Sequence, residues 1–592
     1  MCHDEFFGLL LRLLPPGFNP TFIWAAQWEL AFWALVLLLT ALLAWQRPAT
    51  LARAEAAFRR LSAHQTACLF LVFALAIGIR LAFLPWIPVP VPAPHDEFSY
   101  LLQSDTFCSG RVTNPPHPMW IFFETFHVNL QPTYQSMYPP AQGVALAVGQ
   151  KLTGSPWAGV VLSVALMCAA FCWMLQGWMP PHWALLGGLF AVGRYGIYSY
   201  WINSYFGGAM AAIGGALLLG ALARLRQELT VRNSLLFVLG LVILANSRPL
   251  EGFLFCVPIV LSAIGLLFTA RLTRQQILRA VVPAVLLLSI AGAAMLYYNW
   301  RGTGNALKMP YVLNQEKYHI SRPMLFQKPY PIPYYNHPEM RAFYLYHELQ
   351  DVVRARDRWG IEELFQHKAV AYYAFLIWPL LLLFVPGVIL TLCRRELRVV
   401  PISLLLMFTG LFLQMWPPDG HYAAPGAAAI VLILFTALRA LGKAGQPRRY
   451  QYLARATVLM LFLWMLVPLG RRLENPDSFS LDAGAIGGEI PKQMQRATIE
   501  SRLMRTPGQH LVIVHYRLHD VPSQEWIYND ANIDASKVVW ARDMGREKNQ
   551  ELLRYYANRQ VWFADRGDGA VIEPYATYLS LTHPDEVLAA HP

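Results

Sequence analysis

The chain has 592 residues, 56% hydrophobic and only 14% charged. Soluble domains carry roughly 25% charged residues, so this composition excludes an ordinary soluble enzyme and points to an integral membrane protein. The net charge of +12 does not indicate nucleic acid, because the basic residues sit in short clusters between apolar runs, as membrane topology demands. The cysteines have no metal-ligand spacing and give no disulfide framework. Cys168 and Cys172 lie one helical turn apart in an apolar run and read as packing. No basic n-region with a small-residue cleavage site opens the chain, so no removable signal peptide is expected.

A helix needs about 20 apolar residues to cross a bilayer. Segments of that kind fall at 23–45, 66–88, 155–177, 182–202, 205–224, 234–248, 250–270, 279–299, 369–392, 399–416, 421–441 and 453–470. The expectation is an all-α polytopic protein of about twelve spans. The span at 234–248 is short, and the weakly apolar 141–152 reads as an interfacial or re-entrant piece. Short-loop arginines and lysines set orientation. They cluster at Arg47–Arg60, Arg224–Arg232, Arg271–Arg279, Arg394–Arg398 and Lys443–Arg455, all on one side of a twelve-span chain. Both termini, the long loops 89–154 and 300–368 and the tail from about 471 then lie on the other, outer side.

After residue 94, Phe98, Leu101 and Leu102 have helical spacing that stops at Ser109-Gly110, an amphipathic helix expected at the membrane surface. Prolines and aromatics then fill 114–140. In the second loop Met340 to Gln366 reads as helical. The tail, 471–592, reads as a small α/β domain. Leu511–Tyr516, Lys537–Trp540 and Gln560–Phe563 are strand-like, and Glu547 to Asn558 is helical, a strand–helix–strand order. Asp530 and Asp534 read as loop acids.

Every unusual polar stretch beside a span falls on the outer side. His95-Asp96-Glu97 follows directly on a span, where an ionisable group needs water or a partner. With it belong Tyr138, Asn203, Tyr205, Arg248, Glu251, Asn299, Arg301, His421 and Tyr422. Asp96 or Glu97 suits a general base, or the ligand of a divalent cation if one is used. Arg248 suits a phosphate, through charge-assisted hydrogen bonds. Glu251 suits a polar substrate group, or simply a local pair with Arg248 around Pro249. The aromatics suit sugar faces, or an interfacial belt. A substrate with an apolar tail in the bilayer and a phosphate-linked polar head would meet all these groups together.

Paired acids after an early span, in a large first outer loop, with many spans and an outer terminal domain, resemble the GT-C superfamily of membrane glycosyltransferases. The nearer likeness is to the bacterial branch of protein O-mannosyltransferases and the lipid A aminoarabinose transferase. The resemblance covers about 66–470 in architecture and Asp96-Glu97 in motif. It implies a polyprenyl-phosphate sugar donor and a first-loop acid essential to transfer, first Asp96 and then Glu97. The acceptor would be a glycolipid, polysaccharide or protein, and the site periplasmic on a bacterial cytoplasmic membrane. Two features depart from the family: the span at 23–45 and the α/β tail. A transporter or flippase of a lipid-linked or polar solute is the alternative, and a non-enzymatic assembly protein a third reading.

Overall fold

The computed structural model describes residues 20–46, 48–269, 273–443, 449–467, 490–517, 525–566 and 571–577. Seven helices are long and apolar enough to cross a membrane, or eight if one sharply bent pair is a single span. They include Gln65–Ala82, Pro156–Trp178, Gly208–Leu225, Pro249–Thr269 and Arg274–Thr303. All twelve expected segments contain helix, but Pro181–Tyr195, Val231–Ala245 and Val399–Leu413 have only 15 residues each. At 1.5 Å per residue these reach about 23 Å, short of a bilayer core of about 30 Å. The expected span at 182–202 therefore stops early, at Tyr195.

The segment expected as one span at 369–392 is not continuous. Helix Arg358–Ile377 meets Leu381–Cys393 at 87°. Pro379 at the break offers no N–H, and the residue before a proline is kept from helical dihedrals. The first span closes the gap. Glu29, buried on Pro20–Gln46, accepts the Leu382 N–H at 3.1 Å and a hydrogen bond from the Tyr373 hydroxyl.

The centre of the bundle is made by Pro156–Trp178, Gly208–Leu225 and Ala427–Lys443, most of whose side chains are buried. Glycine permits the close approach there: a Cβ on Gly215 would stand 1.9 Å from the Pro425 carbonyl oxygen. The basic loops gather at one end, where Arg455 pairs with Glu55 at 2.6 Å and Arg226 donates to the Glu396 carbonyl.

At the other end lie both long loops and the tail. The first loop forms helix His95–Cys108, ending where Gly110 takes φ +71°, then strands β1 (Val128–Asn129) and β2 (Gln135–Ser136), then helix Ala141–Thr153. The second forms Pro310–Tyr318, Leu349–Arg354 and Arg358–Tyr372, with a wider-wound turn at Phe343–Glu348. In the tail, β3 (His510–His515) runs parallel to both β4 (Val538–Arg542) and β5 (Gln560–Asp565), with Val512 opposite Trp540 and Trp562. Strand β6 (Val571–Pro574) is antiparallel to β5. The two-residue alternation of strands divides the sheet. Val512 and Val514 face Ile499 and Leu503 of helix Ile490–Arg505. Leu511 and Ile513 face Leu552 of helix Arg546–Tyr555 and the first loop. This corrects the expected surface helix: Phe98 and Leu102 pack on the tail, not on lipid.

Candidate functional site

A cavity of about 620 Å³ opens where the two outer loops meet the span ends. Asp96 stands in the first turn of helix His95–Cys108, where the backbone N–H groups and helix dipole favour negative charge. Tyr138 donates its hydroxyl hydrogen bond to Asp96. His127 Nδ1 lies 3.3 Å from one carboxylate oxygen and His95 Nε2 3.7 Å from the other. His127 itself has φ +58°, a conformation costing about 1–3 kcal/mol that persists only where its surroundings enforce it. Its carbonyl accepts from the Ser99 hydroxyl at 2.7 Å and the Met137 N–H at 3.2 Å. Burial alone would raise the Asp96 carboxyl. His127, His95 and the Tyr138 hydroxyl outweigh it and hold Asp96 well below the usual carboxylate range. Burial, then the field of His127, pushes His95 down to about 3.

The neighbouring acid is built for something else. Glu97 accepts the backbone N–H groups of Ala93 and Tyr205, each at 2.7 Å. Burial pushes its carboxyl up to about 7 against those bonds, and it does not line the cavity.

Arg248 crosses the face of Tyr422, 4.5 Å from the ring centroid. Burial opposes its charge, but Tyr100, Tyr422 and Glu251 favour it and keep the guanidinium protonated. No ion pair joins Arg248 to Glu251 among the described residues; Glu251 accepts from Gln414 at 3.1 Å instead. His421 shares a 3.0 Å hydrogen bond with the Tyr200 hydroxyl and stacks on Phe206 at 4.7 Å. Burial, reinforced by Arg248, holds it well below its ordinary value and hence neutral. Burial and the charge of Asp96 push Asp419 up to about 6.

The second loop closes the cavity with Tyr311, His319 and Glu348. Glu348 holds His319 Nδ1 at 2.6 Å, and accepts from the Ser321 hydroxyl at 2.6 Å and the Ile320 N–H at 2.7 Å. These partners outweigh burial and lower its carboxyl.

The cavity thus collects His95, Asp96, Tyr138, Arg248, Glu251, His421 and Tyr422 from the sequence-derived set. It leaves out five. Glu97 fastens backbone. Asn203 accepts from buried Arg80 at 3.1 Å, Tyr205 donates to the Pro90 carbonyl at 3.2 Å, and Asn299 closes a turn onto the Ala306 carbonyl at 3.1 Å. Arg301 is exposed. Sequence reading missed His127, Tyr311, His319 and Glu348; Glu348 falls in the stretch read as helical, and none of the four stands in a motif. For a divalent cation, the ligand atoms of His95, Asp96 and His127 lie within 4.8 Å of one another. Two imidazoles and a carboxylate are a donor set that suits zinc-like ions.

No protein-family model matches the chain, and no curated protein matches it. Among solved structures, it is similar to ArnT from Cupriavidus metallidurans bound to undecaprenyl phosphate, with 13% identity and a TM-score of 0.48, over 88% of this chain and 95% of that one. It is also similar to the oligosaccharyltransferase of Archaeoglobus fulgidus tethered with an acceptor peptide, with 11% identity and a TM-score of 0.47, over 84% of this chain and 68% of that one. The complex of the archaeal oligosaccharyltransferase AglB from Archaeoglobus fulgidus with an inhibitory peptide and a dolichol-phosphate gives 11% identity and a TM-score of 0.45, over 85% and 69%.

Proposed function

We propose that this protein is a membrane glycosyltransferase that moves a sugar from a polyprenyl-phosphate donor to an acceptor at the outer, periplasmic face of a bacterial cytoplasmic membrane. One observation carries the reading: an apolar cavity at the membrane end is lined both by an ionised Asp96 and by a protonated Arg248 that, among the described residues, makes no ion pair with a carboxylate. Such a chamber fits a lipid whose polar head is a sugar phosphate.

The walls contributed by Met137, Phe206, Leu250, Met309 and Trp416 take the first isoprene units. Arg248 holds the phosphate by charge-assisted hydrogen bonds. Asp96 accepts a hydrogen bond from the acceptor hydroxyl and faces the positive charge that builds on the sugar as the anomeric bond loosens. With its affinity for protons so reduced, Asp96 orients the acceptor rather than retaining its proton. The acceptor oxygen forms the new bond to the anomeric carbon, and the anomeric C–O bond to phosphate breaks with its electron pair. The acceptor's proton passes to the departing phosphate, whose second pKa is about 6. A divalent cation would be held by His95, Asp96 and His127, and would supply charge to neutralise the phosphate. The acceptor is a glycolipid, polysaccharide or protein hydroxyl or amine.

Transport has no comparable support. The cations within or beside the spans are tied to backbone: Arg80 to the Ile87 and Pro88 carbonyls, Arg194 to those of Ala374 and Phe375, and Lys368 to those of Leu411 and Gln414. The test uses protein in lipid nanodiscs with a panel of polyprenyl-phosphate sugars and a crude envelope extract as acceptor. Wild type should release free polyprenyl phosphate and a folded Asp96→Asn variant should not. Equal release by both would remove Asp96 from the chemistry.

A further inference from the structure

Among the described residues, none of the tail lines the cavity, whose lining runs from His95 to Tyr422. The tail meets the membrane part on the back of the helix that carries Asp96 and on the loop that follows it, where His117 meets Asp534 at 2.9 Å and Tyr134 donates to the Asn529 carbonyl at 2.8 Å. On His95–Cys108, residues four and three apart fall on one stripe. Phe98, Leu102 and Asp105 make the stripe that faces the tail. Phe98, two residues beyond Asp96, lies flat on Tyr528, with ring centroids 4.3 Å apart and planes 1° from parallel. The Arg496 guanidinium stands 4.9 Å from the same Phe98 ring and 4.6 Å from Trp540. Arg496 also donates to the carbonyls of Trp526 at 3.1 Å and Tyr528 at 3.0 Å, so the stack is fixed from the tail side. Leu102 joins Ile533 and Ala531 in one apolar cluster. Asp105 accepts the Ala531 N–H at 2.7 Å.

The adjacent stripe of the same helix builds the site. Ser99 bonds the His127 carbonyl at 2.7 Å and the Ser136 hydroxyl at 2.8 Å, and Gln103 donates to the Tyr138 carbonyl at 2.9 Å. These hold His127 and Tyr138, which are the two side chains closest to the Asp96 carboxylate. One helix therefore presents one stripe to the tail and the next to the hairpin that dresses Asp96. Further tethers end on the same loop, among them Arg542, which donates to the Glu124 carbonyl at 2.7 Å.

We infer that the tail is a positioning domain for Asp96, acting through the stack of Phe98, Tyr528 and Arg496, and not an acceptor-binding domain. The inference rests on the reading of Asp96 as a reacting-site group. Parallel ring stacking and the cation over a ring each favour one seating of the helix beyond what burial supplies. A displacement of about 1 Å at a reacting group costs about 100-fold in rate. Tyr528, Phe98 and Arg496 are thus positioning residues that act through the helix.

The test compares Tyr528→Ala, Tyr528→Phe and Arg496→Gln in nanodiscs, with two readouts. Hydrogen exchange is followed on the peptide covering 95–108, and release of polyprenyl phosphate from a polyprenyl-phosphate sugar panel is followed with envelope extract as acceptor. Hydrogen exchange on the peptides covering β3 and β5 reports that the tail is folded. Tyr528→Ala should raise exchange in 95–108 about 10-fold and lower kcat about 10- to 100-fold, with the apparent KM for donor and extract unchanged. Tyr528→Phe, which keeps the ring, should preserve both, and Arg496→Gln should fall between. Unchanged exchange in Tyr528→Ala would overturn the inference. So would a rise in the KM for extract at constant kcat, because the tail would then be binding acceptor. Altered exchange together with no release by wild type would support the mechanical coupling while removing the transferase reading.

Discussion

The two outer loops share a cavity but are built on opposite terms. The first is backed by protein along its helix and hairpin. Its helix is clamped by the tail, and its hairpin is bonded to that helix through Ser99 and Gln103. The second is anchored on either side of an open arm, the far anchor being Asn336, which donates to Glu124 at 2.8 Å, with Met340 and Tyr344 buried beyond it. Pro310 accepts from Asn129 at 3.0 Å, Asn314 donates to Asn129 at 3.0 Å, and Tyr318 donates to Glu124 at 2.6 Å. Between these points and the broken span, Ile332 and Tyr334 of its proline-rich arm are 61% and 87% exposed. The lesson is a division of labour. The proposed reacting charge sits on the supported loop, and the loop across the cavity from it carries a lightly fastened arm.

The largest effect should fall on the supported loop. Asp96→Asn keeps the shape and removes the charge, and should lower turnover about 100- to 1,000-fold in the polyprenyl-phosphate release assay. At the floor of the cavity, Arg248→Ala removes a charge-assisted hydrogen bond of about 1.5–3 kcal/mol. It should lower kcat/KM for donor about 10- to 100-fold, mainly through KM. On the lightly fastened loop, Glu348→Gln weakens the hold on His319, Ser321 and Ile320. It should cost about 10-fold or less in kcat/KM, in the same assay. A loss as deep as that of Asp96→Asn would abolish the contrast between the loops.

The smallest effect concerns pH. Glu97 rises from its ordinary 4.5 to about 7 in the folded protein. The fold therefore binds this proton more tightly than the unfolded chain does, and the resulting stability is complete below 4.5 and is lost as pH rises through 7. The apparent Tm in nanodiscs should fall by about 2 °C between pH 5.5 and 8, and Glu97→Gln should flatten that slope. Asp96 works in the opposite sense: its lowered value stabilises the fold above the ordinary carboxylate range, and that stability is lost only in strong acid.

Periodicity made the helices legible, and alternation made β3, β4 and β5 legible, because burial of one face repeats along the chain. It passed over the break before Leu381, whose sequence signal is Pro379 in an otherwise apolar run and whose freed amide is met by Glu29, hundreds of residues away. The acids at 96 and 97 were visible as a pair, but their opposite uses were not. Asp96 is defined by His127 and Tyr138, and Glu97 by two backbone N–H groups from Ala93 and Tyr205. A side chain such as His319 entered only with the three-dimensional course of a non-periodic loop. Arg301 failed for the reverse reason, since an outer-side position does not oblige a long cation to turn inward.

The first span carries a consequence for engineering. Trimming the protein back to residue 48 would leave every cavity residue in place, and by cavity content alone such a minimal protein looks complete. Yet Glu29 would go with the trimmed piece, and the amide of Leu382 and the hydroxyl of Tyr373 would lose their acceptor. Uncompensated polar groups in hydrocarbon cost several kcal/mol each, so the angle between Arg358–Ile377 and Leu381–Cys393 would relax. A shortened protein would insert and fold its central bundle, but carry a loosened joint between those two helices, and supplying the missing helix as a separate peptide should restore it.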